Sequence, residues 1–291
     1  MNTQATVEKS WIDDIDTIDQ STVETSEQRY PWVMWVNGQP AQKRAGGVPY
    51  TGGWFVSDKN IKTAPQDWEP GEMIHRDNSA TTGYFRRDLT VAIVAMRRRW
   101  IDAMTNPPIS FPWSDFERAK EELGKRPTGH IQVLAVLRDA IEVGPVVLTL
   151  KGTVASRFMS SRDGVLGLFN EYIIRAANEL ALKAGKNARW PMRAFWLAVG
   201  PDRDPKDLPI FTEVGQPPNS STVVFPALRN AHEKMTPAEV KALFVGRDLL
   251  EQLNDLYGQV LAWRNAWDAP SAQTELPMTV AAEKVAEEMP F

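Results

Sequence analysis

The chain has no cysteine, which excludes disulfides, thiol nucleophiles and thiolate metal centres. Histidine is scarce: His75, His130 and His232 stand far apart with no metal-ligand spacing, so no metal site is expected. No Gly-x-Ser-x-Gly string offers a serine nucleophile, and no Gly-x-x-x-x-Gly-Lys-Ser/Thr string offers a phosphate loop. The adjacent acids Asp13/Asp14, Glu121/Glu122 and Glu287/Glu288 read as solvated pairs, and Asp202, Asp204 and Asp207 as an Asp/Pro turn. No stretch approaches the roughly 20 apolar residues that span a bilayer. The polar, acidic start lacks the basic and apolar regions of a secretory signal. These absences lead us to expect a soluble, non-exported, non-enzymatic protein without metal or cofactor, in no contact with a membrane.

Charge is present but segregated. The net charge is -4, yet residues 1–29 hold seven acids against Lys9 and Arg29, and residues 268–291 hold five against Lys284. The body between them has 25 acids and 30 bases, about +5. A mildly basic body with acidic ends suits a polyanionic ligand with competing tails.

Tyr84–Trp100, YFRRDLTVAIVAMRRRW, is the stretch around which the rest is organised. Its middle, Leu89–Met96, is a β-branched apolar run that reads as a buried strand. Phe85, Arg86 and Arg87 stand before it, and Arg97, Arg98, Arg99 and Trp100 after it. Aromatic faces interleaved with guanidinium groups suit a phosphate chain that carries flat bases. The competing reading is a long strand with solvated ends.

Other elements follow from period and punctuation. Strands are expected at Trp32–Val36, Glu72–Arg76, His130–Leu137, Val143–Leu150 and Thr222–Phe225, with Met192–Val199 and Ile210–Val214 as an antiparallel pair. Ser114 to Glu117 has capping-box spacing for a helix to Leu123, with Gly124 as its stop. Apolar residues at helical spacing predict a long helix over Asp163–Ala184. Thr236-Pro237-Ala238-Glu239 opens a helical end. Many short strands with one inserted helix give an α+β protein with a mainly antiparallel β core. The first choice is an elaborated barrel of the oligonucleotide-binding (OB-fold) type, with an RRM-like open sheet as the alternative. The chain divides into an acidic mobile arm (1–29), a binding core (30–230), a helical segment packed on it (231–268) and an acidic tail (269–291).

Binding chemistry is well supplied. Eleven tryptophans is a high number for 291 residues, although Trp is also a common core residue. Lys43 and Arg44 stand in a glycine-rich loop, and Lys151, Arg157 and Phe158 follow a strand. Phosphates would meet Lys43, Arg44, Arg86, Arg87, Arg97, Arg98, Arg99, Lys151 and Arg157. Trp54, Phe85, Trp100 and Phe158 would stack bases.

The chain finishes Glu287-Glu288-Met289-Pro290-Phe291. This ending resembles the acidic tip of bacterial single-stranded DNA-binding proteins, where carboxylates precede a hydrophobic residue, Pro and a terminal Phe. It departs from that pattern in having two glutamates where an aspartate run is usual. The body is longer than theirs and looks more like the divergent versions carried by phages or mobile elements. The resemblance implies sequence-tolerant binding of single-stranded DNA, or RNA, in the cytoplasm of a bacterium or phage-infected host. It also implies that Glu287, Glu288, Met289, Pro290 and Phe291 recruit replication, recombination or repair proteins. A homo-oligomer stays open. So do a structural or assembly protein, such as a virion component joined through its arms, and a strand-annealing enzyme.

Overall fold

A computed structural model describes residues 30–37, 52–61, 65–74, 80–102, 109–187, 189–215 and 220–265. In chain order come β1 (Trp32–Val36), β2 (Gly53–Ser57), β3 (Glu69–Ile74), β4 (Ala80–Arg86), β5 (Leu89–Asp102) and β6 (Ile109–Pro112). Helix α1 (Phe116–Leu123) precedes β7 (Thr128–Leu137) and β8 (Pro145–Lys151). Helices α2 (Gly152–Met159), α3 (Val165–Phe169) and α4 (Arg175–Lys183) follow, with a π turn at Asn170–Ile174 between the last two. A 3-10 turn at Met192–Ala194 leads into β9 (Leu197–Pro201), β10 (Phe211–Val214), β11 (Ser221–Val224) and β12 (Pro226–Leu228). The chain then turns helical in α5 (Pro237–Ala242), α6 (Arg247–Gln259) and α7 (Leu261–Asn265). None of the described helices is long and apolar enough to cross a membrane.

Ten strands form one sheet in the order β12-β9-β5-β7-β8-β1-β2-β4-β3, with β6 on the far half of β5. Every pairing is antiparallel except β1 with β8. The sheet is curled. The Trp54 indole on β2 donates to the Val199 carbonyl on β9 at 3.2 Å, although four strands stand between β2 and β9. The mixed, antiparallel-dominated α+β architecture is therefore as expected, but the described strands make a ten-stranded half-barrel and not a five-stranded barrel.

β5 is the longest strand, and a bulge divides it. Ile93 pairs with Ala135 but Ala95 pairs with Leu134, so Val94 is an extra residue that β7 does not match. Because side chains alternate with period two, the phase inverts there. Before the bulge, Leu89, Val91 and Ile93 face the concave side and join the large core of β7, β8, β9, α2 and α3. After it, the same odd positions face the convex side. Arg97 therefore lies opposite Gln132 and Arg99 opposite His130, on the surface covered by Leu253, Val260 and Trp263 of the C-terminal helices. A third cluster joins Val36, Phe55 and Met73, with Met34 and Phe85 against it.

Several local expectations are corrected. Met192–Val199 does not pair with Ile210–Val214: β9 lies between β5 and β12, and β10 pairs with β11. The Ile210 amide donates to the Asp202 carbonyl, which closes the Asp/Pro loop on itself and sends the chain away from β9. The long helix is broken by its π turn, and α2 was not anticipated. Helix α1 starts at Phe116 after Asp115 without a side-chain cap, while Gly124 ends it in the left-handed region as expected. The capping box at Thr236 forms in full; the bonds from the Thr236 backbone and hydroxyl hold the Glu239 carboxyl down to about 2.

The bulge makes neighbours in sequence unequal in consequence. Arg97 is buried; its guanidinium donates to Gln132 Oε1 and the Trp263 carbonyl and lies 4.0 Å from the Trp263 ring centroid. Arg98 is exposed. Arg97→Met is expected to lower stability by about 2–3 kcal/mol in urea denaturation, the cost of leaving buried partners unpaired. Arg98→Met should stay within about 0.5 kcal/mol of the parent.

Candidate functional site

Lys43, Arg44 and the tip residues Glu287, Glu288, Met289, Pro290 and Phe291 lie outside the described residues. Two of the expected base-stacking rings are corrected. Trp54 and Phe158 are 0% exposed, since Trp54 sits under the curled sheet and Phe158 on the inner face of α2. Neither has a face to offer a base. Phe85 packs against Phe55 with ring centroids 4.7 Å apart.

The expected cations are sorted into separate places. Arg86 donates to the Gln66 and Asp88 carbonyls and pairs with Asp139 at 2.9 Å, so its guanidinium is a structural pin. Arg87 pairs with Asp207, which also holds Arg203. Arg157 pairs with Asp163, whose carboxyl is held below the usual carboxylate range by bonds from Ser160 and Arg157. All three guanidinium groups are thus matched by carboxylates. Arg86 and Arg87 also stand at the opposite end of β5 from Arg97, Arg98 and Arg99, roughly 30 Å away along an extended strand. Arg86, Arg87 and Arg157 therefore do not line one phosphate-binding face with Arg97, Arg98 and Arg99. Arg99 and Lys151 do share a convex-face row, Arg99–His130–Lys151, across β5, β7 and β8.

Along the middle of β5 the chain opens a cleft of about 660 Å³. Its floor is Ile93, Val94, Ala95 and Met96, with Ile131, Met159 and Met192 around them. Its walls carry Arg97 and Arg98 of β5, Arg193 of the 3-10 turn and Arg264 of α7, with Trp113, Ser114 and Tyr257. Among the described residues that line it there is no carboxylate. Besides Arg97, two of these guanidinium groups lie over aromatic rings and a third bonds to a phenol hydroxyl. Arg98 lies 4.9 Å from the Trp113 ring centroid, and Trp113 stacks on Trp100 at 4.0 Å and 9°. Arg193 lies 4.4 Å from the Tyr257 ring and donates to Asn254, while Arg264 donates to the Tyr257 hydroxyl. Braced this way, the guanidinium planes lose little freedom on meeting a phosphate or a base. Trp100, expected to stack on a base, instead backs Trp113 and donates to the Trp113 carbonyl at 2.9 Å.

A second hollow, of about 600 Å³, lies beside Gly52, Gly53, Arg86 and Arg87. Asp67, Glu69, Glu72 and Asp88 line it too, so its acids outnumber its bases and it does not suit an anion. Among the described residues no group of His, Asp and Glu is arranged to hold a metal ion.

The sequence singled out Arg97 and Arg98 for this region but not Trp113, Arg193, Tyr257 or Arg264. Those come from three distant segments and carry no local signature. No family model, curated protein or solved structure matches the chain.

His130 separates Arg99 from Lys151 in the basic row. Its own burial, with Lys151 and Arg97 nearby, lowers its pKa from 6.5 to about 4. The folded chain therefore prefers the neutral ring, so this contribution is complete above pH 6.5 and is lost as pH falls toward 4. The expected loss is roughly 3 kcal/mol over that interval. Urea midpoints at pH 7 and pH 4.5 should fall further apart for the parent than for His130→Leu.

Proposed function

We propose that the chain binds single-stranded nucleic acid, DNA in the first place, with tolerance of sequence, and that the cleft along β5 receives it. One observation carries this reading: beside the buried Arg97, three further arginines and, among the described residues, no carboxylate line a cleft in which Arg98 lies over Trp113, Arg193 lies over Tyr257 and Arg264 bonds to the Tyr257 hydroxyl. Such a site attracts phosphates from a distance and offers flat, cationic surfaces to bases at contact. The apolar, methionine-rich floor is shaped by thioethers that adapt to different partners. Among the described residues no catalytic constellation accompanies the site, and the proposal is of a binder and protector. The OB-like barrel is not required for it, because aromatic-backed cations along a sheet strand serve the same chemistry.

The terminal Glu287–Phe291 segment belongs to the same proposal as a recruiting tip. Phe291 would fill an apolar pocket of a replication, recombination or repair protein, while its α-carboxylate, Glu287 and Glu288 meet a basic rim. Exposed Leu208, Ile210 and Phe211, on and beside β10, favour a second reading, an assembly protein that buries this strand between subunits.

Salt separates the two. In fluorescence anisotropy with labelled oligo-dT, affinity should fall steeply as salt rises. Replacing Arg98, Arg193 and Arg264 together by Ala should weaken binding at least tenfold and reduce the salt slope by about 2, since each contact with single strands contributes about 0.7. A truncation ending at Ala286 should keep its affinity. No binding at low salt would discard the proposal in favour of assembly.

A further inference from the structure

The floor of the cleft is an unfinished sheet edge. β9 pairs with β5 at Leu89–Val91, and β6 pairs with it at Arg99–Asp102. Between them, from Ala92 to Met96, no described strand takes this edge of β5, whose other edge runs along β7. The chain that would have continued β9 is committed elsewhere. After Pro191 it forms the 3-10 turn, the Trp196 amide donates to the Leu243 carbonyl, and the Ala194 carbonyl accepts from the Val245 amide. Yet Ala92, Ile93, Val94 and Ala95 are each no more than 5% exposed. Peptide groups alternate sides along a regular strand, so on either side of the Val94 bulge every second one points toward the cleft. Buried main-chain donors and acceptors are costly to leave unmade.

We propose that this edge reads a nucleobase: one base at a time leaves the stack and hydrogen-bonds to the main chain of Ile93–Met96. This rests on the nucleic-acid reading above and adds to it the requirement for a base. A phosphate chain presents acceptors alone, whereas every base edge presents polar groups in a plane that fits between a strand edge and flexible thioethers. Met96, Met159 and Met192 adapt to purine or pyrimidine. The phosphates flanking the inserted base fall to Arg98 on one wall and to Arg193 and Arg264 on the other. A paired base cannot enter without leaving its partner, so the site selects single strands.

The test compares oligo-dT with an abasic oligomer of equal length and charge on the full chain. Oligo-dT should bind about tenfold tighter or better, and it alone should slow amide hydrogen exchange in peptides covering Ile93–Met96. Equal affinities, or no protection of those amides, would overturn base insertion while leaving the nucleic-acid reading intact. Failure of both oligomers to bind at low salt would overturn both. Protection by polyglutamate and not by oligo-dT would overturn base insertion in favour of an extended acidic peptide added as a strand.

Discussion

Val94 adds one residue to β5 that β7 does not match, and every side chain beyond it changes faces. Without the bulge, Arg97 and Arg99 would follow Leu89, Val91 and Ile93 to the concave side, and Arg97 would lose Gln132 and Trp263 as partners. With it, the concave face from this point on receives Met96, Arg98 and Trp100 near the sheet's rim, and the convex face receives Arg97 and Arg99. One irregularity lets a single strand serve as core, clamp and cleft wall.

The clamp and the cleft are connected. Arg97 holds Trp263 by a carbonyl bond and by its ring, which fixes α7. The next residue, Arg264, reaches the cleft and meets Tyr257. The other wall depends on Trp100 and Trp113, whose stack stands behind Arg98. The cationic groups are therefore held by contacts that lie largely within the fold. That is the arrangement expected of a site whose charges must stay close together while mutually repelling.

Much of the architecture was legible from residue order. The apolar run of β5, the two long strands after α1 and the capping box at Thr236 are local signals, and all appear where the pattern puts them. The sheet order was not legible, because it depends on where β9 stops pairing and on a bulge that no residue type announces. The arginine triplet was recognisable as chemistry, but its division between two faces was not. Trp54 and Phe158 misled for a simple reason: an aromatic beside a base in sequence lies beside it in space only when both share a face. Gly52 and Gly53 before Trp54 mark close packing, with Gly52 against Val224.

Photo-crosslinking of an oligo-dT carrying 5-iodouracil, followed by peptide mapping, tests the central claim most directly. If the β5 cleft receives the strand, adducts will fall on Trp113, Tyr257 and the methionines of the floor. Adducts confined to the Arg86–Arg87 end of β5 or to the Lys151 row, with none in the cleft, would contradict it.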